Sequence, residues 1–121
     1  MHIKVHYTAH PEWNQDGQTF DLGEMKFKSH LNACSHMFGL FNAVEPNPSE
    51  GKLGYYCNKF NVRSMCIRDI VEVDGISYVC LPAGWAVIEK PELFNQWVIE
   101  TRPVVFMNEQ LQSFKNYALT H

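Results

Sequence analysis

An Asp-Gly pair at positions 74 and 75 separates two β-rich runs, Arg-Ser-Met-Cys-Ile-Arg-Asp-Ile-Val-Glu-Val before it and Ile-Ser-Tyr-Val-Cys after it. A two-residue type I′ turn needs φ > 0 at both central positions, which Gly and Asp tolerate best, so the pair predicts a tight antiparallel hairpin. The implied register sets Val73 opposite Ile76, Val71 opposite Tyr78 and Asp69 opposite Cys80. One face is then apolar, while the other mixes Glu72 and Ser77 with Ile70 and Val79. A Pro-Ala-Gly break at 82–84 precedes a third short run beginning at Trp85. Residues 63–89 are therefore expected to form the middle of a sheet and to act as scaffold, with the functional surface in the loops at 9–18 and 45–52.

The remaining segments must pack around that hairpin. Residues 2–8 alternate strictly, with Ile3, Val5 and Tyr7 on one face and His2, Lys4, His6 and Thr8 on the other, as in a half-buried strand. Pro11 and Asp16-Gly17 predict a loop over 9–18. A second strand is expected within 19–28, interrupted by Gly23, with Met25 and Phe27 alternating with Glu24, Lys26 and Lys28. Ser29 is a good helix N-cap, and Leu31, Cys34, Phe38, Phe41 and Val44 recur at helical spacing, predicting a helix over 30–44. Gly39 within it would allow close packing against the sheet. The proline-rich run 45–52 reads as a loop and 55–60 as a strand. Pro91 suits a first helical position, followed by an apolar stripe of Leu93, Phe94, Trp97 and Val98 that ends at Pro103. Residues 104–107 read as a short apolar run. Asn108 can cap a last helix over 109–119, with Leu111, Phe114 and Ala118 on one face. Together these predict one α+β domain spanning 1–121: a small, mainly antiparallel sheet with two to three helices packed on one face.

Composition excludes several functions. The chain has 121 residues with a formal net charge of −3. It lacks the clustered Lys and Arg of a nucleic-acid surface, so nucleic acid is not an expected partner. No apolar run approaches the roughly 18 residues needed to cross a bilayer, and the first residues lack the apolar core of a secretory signal, so the expectation is no membrane partner and a cytoplasmic location. Cys34, Cys57, Cys66 and Cys80 contain no Cys-x-x-Cys spacing and are expected to be reduced and largely buried. His30 and Cys34, at i and i+4, would need Cys57 or Cys66 to complete a metal site, and no second pair supplies ligands. Neither a metal nor a cofactor is expected. His6, His10 and Glu12 cluster near the end of the first strand, where His could move a proton and Glu12 orient it. His2, Lys4 and His6 also make an ordinary solvated strand face. Walker A, Rossmann and Gly-x-Ser-x-Gly signatures are absent, so enzymatic activity is not the leading expectation. The aromatics Trp13, Tyr55, Tyr56, Trp85 and Trp97 fall at loop edges and element ends. Trp97 is expected in the core. Trp13, Glu12, Tyr55 and Tyr56 are the candidate binding residues, since Tyr and Trp bring large contact area with a polar tip.

Arg63, Ser64, Asp69, Val71, Asp74, Gly75, Tyr78, Cys80, Gly84 and Trp85 fit a run of the form Arg-Ser-x-Ser-Val-x-Asp-Val-Val-x-x-Asp-Gly-x-x-Tyr-x-Cys followed by Gly-Trp. That run resembles small accessory proteins of tailed phages and mobile elements, including YodL-like domains. His6-Tyr7-Thr8 with Pro11-Glu12 is similar to the beginning of such proteins, and Cys66-Ile67-Arg68 departs from their usual small-residue run. The resemblance implies a phage-type accessory protein that binds and inhibits or modulates a host or defence protein in the host cytoplasm. An alternative comes from His6-Tyr7-Thr8, which resembles the opening strand of ADP-ribosyltransferases. A reduced enzyme of that type would use NAD, with His6 on the nicotinamide ribose and a late carboxylate, Glu100 or Glu109, as the catalytic group.

Overall fold

A computed structural model describes residues 1–10, 16–42, 46–103 and 108–121. The candidate residues Glu12 and Trp13, the apolar run 104–107 and part of the 45–52 loop lie outside the described residues. Five strands form one antiparallel sheet: β1 (His2–His6), β2 (Thr19–Glu24), β3 (Ile70–Val73), β4 (Ile76–Cys80) and β5 (Trp85–Ile88), in the spatial order β2-β1-β3-β4-β5. The Asp74-Gly75 hairpin has the expected geometry. Both residues lie at positive φ, 51° and 83°, and Val71 pairs with Tyr78 and Val73 with Ile76. Cys80 N–H donates to the Asp69 carbonyl at 2.9 Å, carrying the pairing one step further.

The helices are α1 (His30–Leu40), α2 (Tyr55–Phe60), α3 (Phe94–Thr101), introduced by a 3-10 turn at Pro91–Leu93, and α4 (Asn108–Thr120). The α+β class stands, and the expected packing on one face is corrected. Ile3, Val5, Val71 and Val73 pack with Ala33, Cys34, Met37 and Phe41 of the α1 region and with Cys57 of α2. Ile70, Val79 and Ile88 belong to a second cluster with Phe94, Trp97 and Val98 of α3 and Leu111, Phe114 and Ala118 of α4. Neighbouring strand residues point to opposite faces, so Ile70 and Val71 seed separate cores. The helices therefore lie on both sides, α1 and α2 on one and α3 and α4 on the other. An apolar residue at every one of positions 70, 71, 73, 79 and 80 is the sequence trace of a sheet covered twice. Trp97 sits deep in the second cluster, edge-on to Phe114 at 5.6 Å, as expected of a core residue.

Local differences from the sequence reading have clear causes. Residues 55–60 are helical because Tyr56, Cys57 and Phe60 bring ring and thiol onto Phe41: Tyr56 stacks on Phe41 at 5.1 Å and on Phe60 at 5.7 Å. Burial of one helical side outweighs the β preference of aromatic residues. The second strand ends at Glu24, one step before Met25, which still exchanges main-chain bonds with Met1 at 2.8 and 2.9 Å; Met25 and Phe27 both pack on the first core. Ser29 does cap α1, accepting from Asn32 N–H at 3.1 Å. Gly39 makes its close approach to the 53–54 turn, not to the sheet: its carbonyl accepts from Gly54 N–H at 3.0 Å, and an added Cβ would lie 2.9 Å from Leu53 Cδ2.

Candidate binding surface

β2 and β5 are the two outer strands, and only β5 is bare of charge. Cys80 uses its own N–H toward Asp69 and its carbonyl toward Arg68 N–H, both on the β3 side. Antiparallel pairs alternate between exchanging both hydrogen bonds and exchanging none. Cys80–Trp85 is thus a non-bonded pair, Val79–Ala86 and Ser77–Ile88 are bonded pairs, and Tyr78–Val87 is again non-bonded. The N–H and C=O groups of Trp85 and Val87 consequently point away from β4, along the outer edge. Among the described residues no strand covers them. Gly84, at φ 84°, closes the 81–84 turn, where Leu81 N–H donates to its carbonyl at 3.0 Å, and this holds β5 against β4.

The side chains beside this edge are apolar on the α1 side. Register places Ile76, Tyr78, Trp85 and Val87 on the same face as Val71 and Val73. α1 lies over β3, so this outer part of the face stays open: Ile76 is 41% exposed and Val87 49%. Leu31, 55% exposed, and Phe38 flank it from the helix, with Phe38 edge-on to Trp85 at 6.5 Å. His30 closes one end, its Nδ1 bonded to the Tyr78 hydroxyl at 2.9 Å. On the opposite side β5 and α4 form a groove of about 430 Å³, lined by Val87, Glu89, Gln112, Lys115, Ala118 and Leu119 among others. Leu119 is 82% exposed there, and Lys90 Nζ ties the groove shut at one side by donating to the Ala118 carbonyl at 2.8 Å. Contiguous exposed apolar groups beside unpaired backbone are the features a folded chain normally conceals.

The residues singled out from sequence fall elsewhere. Tyr56 is largely used in the aromatic stack of the first core, where burial pushes its hydroxyl pKa up. Tyr55 lies beside it, half-buried, with Lys59 Nζ 6.0 Å from its ring centre. His6 does line a cleft, of about 440 Å³, between the polar face of β1, β2 and β3 and the Pro91–Leu93 turn with the start of α3. The carboxylates in that cleft are Glu72 and Glu92. Glu109 is exposed in the first turn of α4 and does not line it, and neither does Glu100, which bonds Gln96 at 2.9 Å. Cys34 and Cys57 are buried, and no group of three or more possible ligands capable of holding a metal occurs among the described residues. No described helix is long and apolar enough to cross a membrane.

One cluster escaped the sequence reading. Arg63 donates to both buried carboxylates of Asp16 and Asp69, with Nη2 at 2.9 and 3.0 Å from the Asp16 oxygens and Nη1 at 2.7 Å from Asp69. Its guanidinium also lies 4.3 Å from the centre of the Tyr7 ring, whose hydroxyl donates to the Arg63 carbonyl at 2.6 Å. Asp69 accepts from Thr8 and Ala9 N–H, each at 2.9 Å, and from Cys66 N–H at 2.7 Å. These bonds replace the strand ladder where β1 ends. The cluster is saturated internally, which makes it a clasp between the ends of β1, the 16–18 turn and the 63–69 segment. Asp69 and Arg63 stand in the run that carries the family resemblance, and Asp16 stands in a turn; their distance in sequence hid the partnership. Comparison with protein-family models, with curated proteins and with solved structures gives no match for this chain.

Proposed function

We propose that this chain is a non-enzymatic binding protein that takes an extended segment of a partner protein as an added strand beside β5. The observation that supports the reading is the outward-facing N–H and C=O groups of Trp85 and Val87 on a strand edge without a charged residue, flanked by exposed apolar side chains. Strand addition supplies affinity through main-chain hydrogen bonds and selectivity through the pockets for alternate side chains. Here one set of alternate residues would lie beside Trp85 and Val87, and the other would enter the groove lined by Ala118, Leu119 and Lys115. The partner segment is accordingly extended and apolar at alternate positions. A host or defence protein met in the cytoplasm, the partner class implied by the resemblance of residues 63–85, is the source we assign to that segment.

The test is selection of displayed random peptides on the whole protein, followed by amide hydrogen exchange. The expected result is a consensus of alternating apolar residues, with new protection at Trp85 and Val87 on binding. Val87→Pro, which removes an outward N–H without touching the β4 ladder, should weaken the selected peptides by at least about tenfold. Selected peptides that protect other residues instead, or that bind Val87→Pro as well as they bind the parent, would overturn the proposal.

A further inference from the structure

The β5 edge is complementary to itself. Trp85 and Val87 turn their N–H and C=O groups outward, while Ala86 and Ile88 bond to Val79 and Ser77 of β4. In an antiparallel pair, hydrogen bonds are exchanged only between residues that both point across the gap. For two copies of β5, one register uses both outward residues of each strand. It sets Trp85 opposite Val87 of the second copy, and Val87 opposite Trp85 of that copy, with the two-fold axis beside Ala86. Neighbouring registers use fewer. Centring on Trp85 sets Val87 against Ala83, in the 81–84 turn, and centring on Val87 sets Trp85 against Glu89, just past the strand.

The side chains match as the backbone does. Trp85 and Val87 lie on the α1 side of the sheet, so this register makes two aromatic–β-branched pairs across the axis. Ala86 lies on the α4 side and meets Ala86 of the second copy in a non-bonded pair, with Cα atoms about 4.5 Å apart. Two methyl groups at the axis leave space for Leu119, 82% exposed beside β5. β5 carries no charge, so no like charges face each other across the pair. The joined sheet ends on β2 at both sides, where Asp21, Glu24 and the extra residue Leu22 stand, so association through β5 stops at two copies.

We propose that β5, when it holds no partner segment, pairs with β5 of a second copy of this chain, giving a two-fold dimer with one continuous antiparallel sheet. The proposal rests on the reading of β5 as an edge that takes an added strand. A partner segment and a second copy need the same N–H and C=O groups, so each excludes the other. Dimerisation then lowers the apparent affinity for a partner segment as protein concentration rises.

Sedimentation equilibrium of the parent should show a species of twice the 14.0 kDa chain mass, half-formed at about 100 μM or below. Val87→Pro, which removes an outward N–H and leaves the β4 ladder intact, should weaken the dimer at least about tenfold. Oxidised glutathione reads the register. Ala86→Cys should give a covalent dimer, because the Cα spacing at the axis lies within disulfide reach. Val87→Cys, displaced along the strand from its own copy, should not. An excess of a selected peptide should convert the dimer into monomer–peptide complexes. If Val87→Pro does not fold, the crosslinking pair decides. A parent that is monomeric at about 1 mM overturns the proposal. So does crosslinking of Val87→Cys equal to that of Ala86→Cys, a folded Val87→Pro that dimerises as the parent does, or a peptide bound along β5 of an intact dimer. A monomer that still binds peptides along β5 ends the dimer proposal alone. A dimer of this register that takes no peptide ends the strand-addition reading alone.

Discussion

β2 and β5 both end the sheet, and they treat the exposed backbone in opposite ways. β2 carries Asp21 and Glu24, and it contains an extra residue, Leu22, where the register slips between the Ile3–Gly23 and Lys4–Asp21 pairs. Asp21 fixes that bulge by accepting from Gly23 N–H at 3.0 Å, a bond that holds its carboxyl below the ordinary aspartate range. His2 lies 2.7 Å from the same carboxylate. Charge and a bulge are the common means by which a strand edge avoids pairing with another chain. β5 has the sequence Trp-Ala-Val-Ile, with no charge and no bulge. The two ends of one sheet thus differ in whether their outer backbone is guarded.

The turn at Asp16 that leads into β2 is tied to Arg63, and the largest effect is expected at that clasp. Arg63→Ala strands the Asp16 and Asp69 carboxylates, both wholly buried, without their cation. Removing one partner of a buried ion pair costs about 3–5 kcal/mol. Urea unfolding should show a loss of that size; a loss below about 1 kcal/mol would mean the clasp contributes little beyond a surface ion pair. Burial already pushes the Asp16 carboxyl up despite Arg63 beside it, which is why the cation is needed.

A second, smaller effect follows from the thiols packed between the sheet and its covering. Burial pushes Cys34, on α1, from 9.0 up to about 12. Cys80, at the end of β4, is raised from 9.0 to about 12 for the same reason. Between those values the unfolded chain loses both protons while the folded chain keeps them. The folded state then binds more protons, so stability falls as pH rises through this window. Melting temperature should decline steadily above about pH 9, and Cys34→Ala with Cys80→Ala should flatten the decline. Equal slopes in parent and variant would assign the alkaline loss to other groups, Tyr7 first among them, whose buried hydroxyl is also raised.

How far the sequence disclosed these two sides follows from the range of the interactions. The Asp74-Gly75 turn was legible because it is local, and so were the stripe of Phe94, Trp97 and Val98 and the Ser29 cap. Residues 55–60 read as a strand because their helical form is imposed by Phe41, distant in sequence. The clasp was invisible as a unit: Asp16, Arg63 and Asp69 meet only once β1 has placed Tyr7 and Thr8 between them. The open edge was misjudged for a different reason. Residues 63–89 look like the middle of a sheet because β3 is one, yet their last four strand residues form its boundary, and nothing local in Trp-Ala-Val-Ile distinguishes an edge from an interior strand.

Reversing the protection of β2 should have a small effect on stability and a visible one on association. Asp21→Asn with Glu24→Gln removes exposed charges whose ion pairs contribute about 0–1 kcal/mol. Unfolding should shift by no more than that. Sedimentation at rising protein concentration should show new self-association through the unmasked edge, weakened by the bulge that remains. A variant as monodisperse as the parent would assign the protection of β2 to the bulge alone.

The smallest expected change in stability comes from the substitution that speaks most directly to the contrast. Val87 is 49% exposed, its N–H and C=O face outward, and its side chain lies on the uncovered part of the sheet. Lysine there keeps the β4 ladder intact and can run its stem across Tyr78 with the ammonium in water. Unfolding free energy should move by about 0.5 kcal/mol or less, as for surface positions generally. A strand approaching β5 would have to bury that ammonium or displace it, so peptide binding at this edge should weaken by at least about tenfold. The two readouts must separate for the comparison of edges to hold. A large loss of stability would mean that β5 is fixed by contacts its exposure does not reveal, and unchanged binding would place any partner strand on another surface.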